Sequence, residues 1–387
     1  MIKGCILPWV HLFGTIDGSY KICCFSEYDK NSTVLGTSNQ KPTEVWNSSS
    51  LKTIRKQFLN GEIPLECKAP CYDKEALGDQ SPRQNKNIYF GKFAKLQSLT
   101  REDGHLSTKP IFLDIRFGNI CNFKCRMCGP GSSTSWYSDN PVFRKPIDNY
   151  TNNPVFWDDI PNILPYVEEV YFAGGEPFVQ DGHFKLINLL IEKGYANKIN
   201  LSYNTNLSFT VYKNNDIKNL WSNFKSVRVW PSCEGFGKQV EYSRKGFQWD
   251  IFSKNCIFFK DFIQEISSVI NIYSILSMPD LILWLKTNNL SFWGTTQINP
   301  EYQSITILPN DFKKIINKLY HKFLKTHGDK LNDSEVNNIL NWLSFMNAKD
   351  DSHLLPTFKK MTEKYDKTRN ESFLNVFPEY KKWYETI

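Results

Sequence analysis

The middle of the chain, from about residue 110 to residue 304, alternates between two hydrophobic patterns. Short runs rich in β-branched and aromatic residues are followed by stretches in which apolar residues recur every three or four positions. The first pattern is typical of buried strands and the second of amphipathic helices. The predicted strands are 111–117, 169–172, 199–203, 226–230, 269–275 and 295–298, and the clearest helices between them are 182–193, 216–224, 250–265 and 279–287.

This alternation predicts a parallel sheet, because parallel neighbours need a crossover connection and such crossovers are right-handed. Six strand–helix units predict the α/β fold class in the form of a partial (β/α)6 barrel. The carboxyl ends of parallel strands share one edge, where α/β folds place their sites. The residues that follow each predicted strand are therefore the first candidates for chemistry.

The segments on either side of the predicted barrel have different patterns. Residues 1–75 hold five of the ten cysteines and predict a small cysteine-rich domain. Residues 76–109 are polar and turn-rich, which indicates a linker. The barrel occupies residues 110–305. Amphipathic patterns at 311–327, 333–346 and 356–370 predict a helical C-terminal extension over residues 306–387.

Composition narrows the class of protein. Of the 387 residues, 41% are hydrophobic and 15% aromatic, which supports packed cores. The net charge of +7 comes from scattered lysines and arginines, so an acidic protein or peptide is an expected partner and nucleic acid is not. No run is long enough to span a membrane, and the N-terminus lacks a signal-peptide pattern. Ten cysteines in such a chain indicate metal ligation in a reducing compartment, and we expect a cytoplasmic protein.

Three cysteines stand close together after the first predicted strand, at Cys121, Cys125 and Cys128. Their C-x3-C-x2-C spacing lacks the matched pairs of a zinc finger, and an odd number of closely spaced thiols does not form a disulfide framework. A cubane iron–sulfur cluster normally takes four thiolates, so three would leave one iron open for chemistry. A partial zinc site is the alternative for the triplet taken alone.

This loop resembles the cluster loop of the radical S-adenosylmethionine (radical SAM) enzymes. The resemblance implies a radical SAM barrel in which the three cysteines hold a [4Fe-4S] cluster and SAM chelates its fourth iron. One electron then cleaves SAM to a 5′-deoxyadenosyl radical. The family usually has an aromatic residue near the adenine at the position of Met127, a departure that changes packing more than chemistry.

A second motif follows the second predicted strand, at Gly174-Gly175-Glu176-Pro177. Two glycines allow close approach of the backbone to a ligand, the carboxylate can accept from an ammonium group, and the proline fixes the turn. Taken alone, this is an ordinary strand-to-helix turn. It resembles the family's GGEP motif, which implies that these residues bind the SAM ammonium group.

Polar residues after the third and fourth strands are weaker candidates for SAM contacts. Asn204 and Asn206 follow the third strand, and Ser232 and Glu234 follow the fourth, near where the family often places a turn beside the ribose. Arg244 lies in a stretch that resembles a Tyr-x-Arg-x-Gly pattern, and it could pair with the SAM carboxylate. Helix capping is the alternative for each of these strand-end residues.

The N-terminal cysteines predict a second metal site. The element Cys5-x12-Gly-x4-Cys23, with Cys67 and Cys71 further on, resembles the SPASM or twitch domains that carry an auxiliary [4Fe-4S] cluster in radical SAM enzymes. Cys24 is the alternative to Cys23 as a ligand. Four thiolates fill all four irons, so this cluster would transfer electrons or support structure. A structural zinc ion held by the same four cysteines is the alternative.

These resemblances imply an enzyme that cleaves SAM reductively and abstracts hydrogen from a substrate, with a peptide or protein as the first expectation. A flavodoxin or ferredoxin would supply the electron. A radical SAM enzyme acting on a small molecule is one alternative, and a non-catalytic binding protein stabilised by iron–sulfur or zinc is another. No residue is assigned as a catalytic acid or base, because such a role depends on the position of the substrate.

Overall fold

The structure is a computed structural model that describes residues 2–26, 32–140 and 145–387. The chain forms two compact units. The first comprises Met1–Asn119, Pro146–Tyr203 and Lys213–Val227, and the second comprises Ile120–Lys145, Asn204–Tyr212 and Arg228–Ile387. Among the described residues, no helix combines the length and the apolar character that crossing a membrane requires.

The strands are β1 His11–Gly14, β2 Ser19–Lys21, β3 Gly36–Thr37, β4 Phe112–Ile115, β5 Lys124–Cys125, β6 Glu169–Phe172, β7 Asn200–Thr205, β8 Val211–Tyr212, β9 Asn215–Asp216, β10 Ser226–Pro231, β11 Arg244–Lys245, β12 Ile266–Ile270 and β13 Phe292–Thr296.

The α-helices are α1 Leu7–Val10, α2 Pro42–Val45, α3 Ser49–Leu59, α4 Leu65–Cys67, α5 Asp73–Ala76, α6 Pro82–Tyr89, α7 Pro154–Asp159, α8 Asp181–Glu192, α9 Ile217–Trp221, α10 Gly237–Ser243, α11 Trp249–Phe258, α12 Met278–Thr287, α13 Asn310–His327, α14 Asp333–Asn347, α15 Leu355–Arg369, α16 Phe373–Val376 and α17 Lys381–Tyr384.

The sheet of the first unit has the order β7-β6-β4-β1-β2-β3. Strands β7, β6, β4 and β1 are parallel, and β2 and β3 continue the sheet in antiparallel pairing. The N-terminal segment therefore adds a strand directly to the first predicted barrel strand. The pairing places Leu12 beside Leu113, and Phe13 beside Asp114.

The two faces of this sheet differ in chemistry because side chains alternate along a strand. Leu113, Val170 and Leu201 share one face and are buried. Asp114 and Tyr171 are paired on the other face, which is the polar one. The three apolar side chains thus pack on one side of the sheet, and the Asp114 carboxylate lies on the opposite side.

In the second unit, β12 and β13 form a parallel pair in which Ile266 lies beside Phe292. The end of β10 runs beside β12 through parallel bridges from Val229 to Ile263 and from Ser232 to Ser267. Helix α14 covers β13 closely, because the Trp342 indole N–H donates to the Gly294 carbonyl oxygen at 3.1 Å. A side chain at Gly294 would meet the Trp342 ring at 2.7 Å, which accounts for a glycine within this strand.

All six predicted strands are present, and the α/β fold class with a helical C-terminal extension is confirmed. The fifth and sixth strands begin three residues earlier than predicted. The apolar run 269–275 predicts the fifth strand, but the observed strand ends just before Asn271. The Asn271 side-chain oxygen accepts from the Tyr273 N–H, and Ser274 Oγ accepts from the Asn271 N–H, which forms a turn. Buried apolar residues after the turn preserve the strand-like pattern.

The segment predicted as a linker, 76–109, contains α6 and a 3-10 helix at Gly91–Leu99. Both elements hold the start of the chain. Asn87 donates to the Gly4 carbonyl oxygen and accepts from the Ile6 N–H, both at 2.8 Å. Gln97 makes a matching pair of 2.8 Å hydrogen bonds with the backbone of Lys3. The backbone on both sides of Cys5 is thereby fixed.

The buried side chain of Arg55 connects several segments of the N-terminal part of the chain. It is fully buried and donates to the carbonyl oxygens of Pro8, Trp46 and Gly104 and to the Asn47 side-chain oxygen, at 2.9 to 3.4 Å. The guanidinium also lies 4.6 Å from the centre of the Trp46 ring. These contacts join the first helix to segments about 50 and 100 residues away along the chain.

Replacing Arg55 by methionine should destabilise the protein by about 3 to 5 kcal/mol, because several buried oxygen acceptors lose their donor at once. Chemical denaturation followed by tryptophan fluorescence measures this, since Trp46 stacks on the guanidinium. Lys56→Met is the matched control at an exposed neighbour and should change stability by no more than about 0.5 kcal/mol. Equal stability of the two variants would contradict the role given to Arg55.

Candidate functional site

The three-cysteine loop, residues 120–139, is held by a short antiparallel ribbon. Strand β5 pairs with β11 so that Cys125 lies opposite Arg244. The Arg126 N–H continues the ribbon by donating to the Ser243 carbonyl oxygen at 2.7 Å. The Trp136 indole N–H donates to the Cys125 carbonyl oxygen at 3.1 Å. The backbone of the central cysteine is therefore fixed from two sides.

The three thiols differ in exposure: Cys121 is half-buried, Cys125 is buried and Cys128 is exposed. The Phe123 N–H donates to the Cys121 sulfur at 3.5 Å. Interaction with the neighbouring Cys128 thiol, together with burial, raises the pKa of Cys125. The interaction with Cys125 lowers the pKa of Cys128, and the Arg244 guanidinium acts in the same direction. The loop thus favours a thiolate at its exposed cysteine.

Arg244 is the charged centre beside these thiols. Its Nη1 atom is 3.7 Å from the Cys125 sulfur, and its Nε and Nη2 atoms form a bidentate ion pair with the carboxylate of Glu234. Both side chains are buried. The sequence predicted that Arg244 and Glu234 contact SAM separately, and the structure joins them to each other. A SAM carboxylate would meet a guanidinium that already has an acidic partner.

Asn206 also contacts the three-cysteine loop. Its side-chain N–H donates to Asn122 Oδ1 at 2.8 Å, and Asn122 donates to Ser208 Oγ at 2.9 Å. These residues line a cavity of about 130 Å³ whose other walls include several phenylalanines. Asn204, Ser232 and Met127 are half-buried, and the Ser232 N–H donates to the Thr205 carbonyl oxygen at 2.8 Å.

The GGEP turn belongs to the first unit. Gly174 and Gly175 have left-handed backbone angles, with φ of 81° and 55°, which favour glycine. A side chain at Gly174 would meet Arg116 at 3.2 Å. Glu176 is buried, and its Oε1 atom accepts from the Phe178 N–H at 3.1 Å, which caps the 3-10 helix that begins at Pro177. The turn therefore also has the helix-capping role that its sequence allowed.

In the first unit, the four predicted N-terminal ligands line one small cavity, the four-cysteine cavity: Cys5, Cys23, Cys67 and Cys71. All four are buried. They come from three segments of the chain. The same cavity is lined by Glu66 and Arg83, which sequence reasoning missed; a charged residue directly beside Cys67 was the available signal.

Backbone N–H groups point at three of these sulfurs. Leu7 donates to Cys5, Phe25 and Ser26 donate to Cys23, and Arg83 donates to Cys71. Burial nevertheless raises the pKa of all four thiols, so a positive metal centre would be needed to hold them as thiolates.

Cys24 has different surroundings from Cys23. It does not line the four-cysteine cavity. Burial and the Asp114 carboxylate raise the pKa of Cys24 to about 12. Its thiol is thus influenced by the polar face of the sheet, on which Asp114 and Arg116 form an ion pair at 2.7 Å. The thiols of Cys23 and Cys24 therefore lie in different surroundings, although the two residues are adjacent in the sequence.

The donor chemistry of both sites fits iron–sulfur clusters, because thiolate sulfur is their usual ligand and backbone N–H groups on sulfur tune them. At the four-cysteine cavity, Glu66 Oε1 is buried without a hydrogen-bond partner. Within the described ranges, no three His, Cys, Asp or Glu side chains are arranged to hold a single metal ion.

Serine substitutions distinguish Cys23 from Cys24. We expect Cys23→Ser to lower the iron content of the anaerobically reconstituted protein by about four atoms per chain, because one thiol of the cavity is lost. Cys24→Ser is the matched control and should keep the full iron content. Iron and protein are measured together on desalted samples. Loss of iron in Cys24→Ser, with none in Cys23→Ser, would reverse the assignment.

Comparison with known proteins bears on the N-terminal site. Residues 5–95 match the family model described as SPASM, an iron–sulfur cluster-binding domain. No curated protein matches the sequence.

Solved structures of Streptococcus suis SuiB are also similar. The chain shares 15% identity with SuiB bound to the precursor peptide SuiA, with a TM-score of 0.38 and coverage of 67% of this chain and 60% of that one. With SuiB bound to S-adenosylmethionine it shares 14%, with a TM-score of 0.36 and coverage of 72% and 62%. The chain thus spans about three fifths of SuiB, and scores of this size do not establish a common fold. The family match confirms the resemblance of the N-terminal cysteine-rich residues to a SPASM iron–sulfur domain.

Proposed function

We propose that this protein cleaves SAM reductively at a [4Fe-4S] cluster bound by Cys121, Cys125 and Cys128, and abstracts hydrogen from a peptide or protein substrate. One observation carries the proposal. The thiols of Cys121, Cys125 and Cys128 belong to a single loop, and the buried Arg244 guanidinium lies 3.7 Å from the central sulfur. Three thiolates leave one position of a cubane open to an exogenous ligand.

When bound, the cluster and SAM supply a 5′-deoxyadenosyl radical, and the protein supplies binding, orientation and electrostatics. Arg244 places positive charge beside the thiolates and, with Glu234, forms a rigid pair at the wall of the site. A positive group here offsets the charge of a reduced cluster. This supports a role for the pair in stabilising the loaded loop.

The GGEP turn supports the binding of the SAM amino end. Gly174 and Gly175 hold left-handed conformations that favour glycine, and the Glu176 carboxylate is a buried acceptor. We propose that Glu176 receives the SAM ammonium group, and that Pro177 fixes the turn. Met127, Asn204, Asn206 and Ser232 remain proposed contacts of the rest of SAM.

The SPASM domain supports an auxiliary [4Fe-4S] cluster held by Cys5, Cys23, Cys67 and Cys71. Four thiolates complete a cubane, so its role would be electron transfer or structural support. Auxiliary-cluster members of the radical SAM family often modify ribosomally made peptides, and a peptide substrate is proposed on that ground. The oxygen sensitivity of such clusters and the need for a flavodoxin or ferredoxin favour the cytoplasm.

Formation of 5′-deoxyadenosine tests the proposal. The reconstituted, dithionite-reduced protein should produce it from SAM under anaerobic conditions, and Cys125→Ala should abolish it because the cluster loses a ligand. Cys256→Ala is the control, since Cys256 is buried and neighbours Cys233 instead. The product is quantified by liquid chromatography. Product formation that survives Cys125→Ala would contradict the assignment.

Iron content gives a second test that needs no turnover. The wild-type protein should hold about eight irons per chain, and Cys121→Ala/Cys125→Ala/Cys128→Ala should hold about four, because each cubane contributes four. A triple variant that kept all of its iron would show that these cysteines bind no cluster.

A further inference from the structure

The C-terminal extension contacts the three-cysteine loop through Arg126, the residue between Cys125 and Met127. The Arg126 side chain is 0% exposed. Its Nη2 atom donates to Asp366 Oδ1 at 2.6 Å and to Glu371 Oε2 at 2.7 Å. Asp366 lies in α15, and Glu371 lies just after that helix. The cation inside the cysteine motif is thus neutralised by two carboxylates from the far end of the chain.

Tyr242 completes the surroundings of Arg126. Its ring lies 3.8 Å from the guanidinium carbon, its carbonyl oxygen accepts from Arg126 Nε at 3.3 Å, and its hydroxyl donates to Asp366 Oδ1 at 2.6 Å. The Phe373 N–H donates to the other oxygen of Asp366 at 2.7 Å. These two hydrogen bonds fix the orientation of the Asp366 carboxylate, so its ion pair with Arg126 has a defined geometry.

A second buried arginine fastens the other end of the loop. Arg369, also in α15, donates to Asp139 Oδ2 at 2.6 Å, and Asp139 Oδ1 accepts from Lys124 Nζ at 2.6 Å. The Arg369 guanidinium lies 4.6 Å from the centre of the Trp136 ring, whose indole N–H holds the Cys125 carbonyl oxygen. Helix α15 is thus connected to Cys125 in two ways: through the neighbouring Arg126, and through Trp136.

Burial of these charges makes the arrangement conditional on docking of the C-terminal segment. A buried guanidinium that loses its carboxylate partner is strongly unfavourable, so the loop would have to move Arg126 to water. Moving Arg126 would displace the flanking Cys125 and also Cys128, whose N–H donates to the Cys125 carbonyl oxygen at 3.0 Å. The geometry of the thiols is therefore coupled to the segment 355–376.

We propose that the C-terminal segment, residues 355–376, is a positioning element for the SAM cluster, with Arg126, Asp366 and Glu371 as its positioning residues. It fixes the loop so that the three thiols can hold the cluster together. This inference rests on the proposed function for the identity of the cluster. The coupling between segment and loop does not depend on that identity.

The test is the double variant Asp366→Asn/Glu371→Gln, which keeps size and shape but removes both negative charges. After anaerobic reconstitution, iron should fall from about eight to about four per chain, because the three-cysteine site fails while the four-cysteine cavity keeps its cluster. Adding the Cys121→Ala/Cys125→Ala/Cys128→Ala changes to the double variant should remove no further iron, which identifies the lost cluster.

Amide hydrogen exchange of the full-length protein before reconstitution gives a readout without iron. Peptides covering residues 120–139 should exchange at least about tenfold faster in the double variant, because the backbone loses its anchor. Asp139→Asn is a second, milder variant that weakens the contacts of Arg369 and Lys124 and keeps those of Arg126, and it should accelerate exchange in the same peptides by a smaller factor.

Glu335→Gln is the matched control. Glu335 is a buried carboxylate paired with Lys286 in the same unit, but it has no contact with the loop. It should keep eight irons and unchanged exchange at residues 120–139. Full iron with unchanged exchange in the double variant would overturn the proposal, as would equal iron loss in Glu335→Gln. A wild-type protein with fewer than about eight irons would count against the proposed function instead, and the exchange comparison would still decide the coupling.

Discussion

Buried guanidinium groups are the constraint around which both cysteine sites are built. A charged side chain that is buried away from water needs hydrogen-bond acceptors within the protein. Each buried arginine therefore fixes the backbone that surrounds it. Arg55 gathers carbonyl oxygens from three segments of the N-terminal part. Arg126, Arg244 and Arg369 do the same in the second unit with carboxylates. Thiols are weak structural anchors, and these cations fix the backbone through their buried hydrogen bonds and ion pairs.

The N-terminal domain is part of the parallel sheet rather than a separate appendage. Strand β1 continues the sheet beside β4, and the cysteines Cys5 and Cys23 lie on either side of it along the chain. Hydrogen bonds from the 82–99 region hold the backbone next to Cys5. These hydrogen bonds fix the backbone on the side of the four-cysteine cavity that Cys5 lines.

The elements that sequence reasoning predicted well are those with local causes. The strand 169–172 and the helices α8, α13 and α15 follow from hydrophobic periodicity, and their observed bounds differ from the prediction by at most one residue. The fifth strand was misplaced because a side-chain turn at Asn271 interrupts an unbroken apolar run. The β1–β4 pairing was missed because strands of three or four residues carry too little periodicity to predict a partner.

The sequence by itself determined which residues are the candidates for chemistry, because cysteine spacing and the GGEP turn are local features set by neighbours within a few positions. Tertiary structure decided how they are used. It places the Cys23 thiol at the four-cysteine cavity and the Cys24 thiol near Asp114. It pairs Arg244 with Glu234. It also brought Asp366 to Arg126, 240 residues away along the chain. Such partners depend on where buried charges must be neutralised, a requirement that only the folded chain imposes.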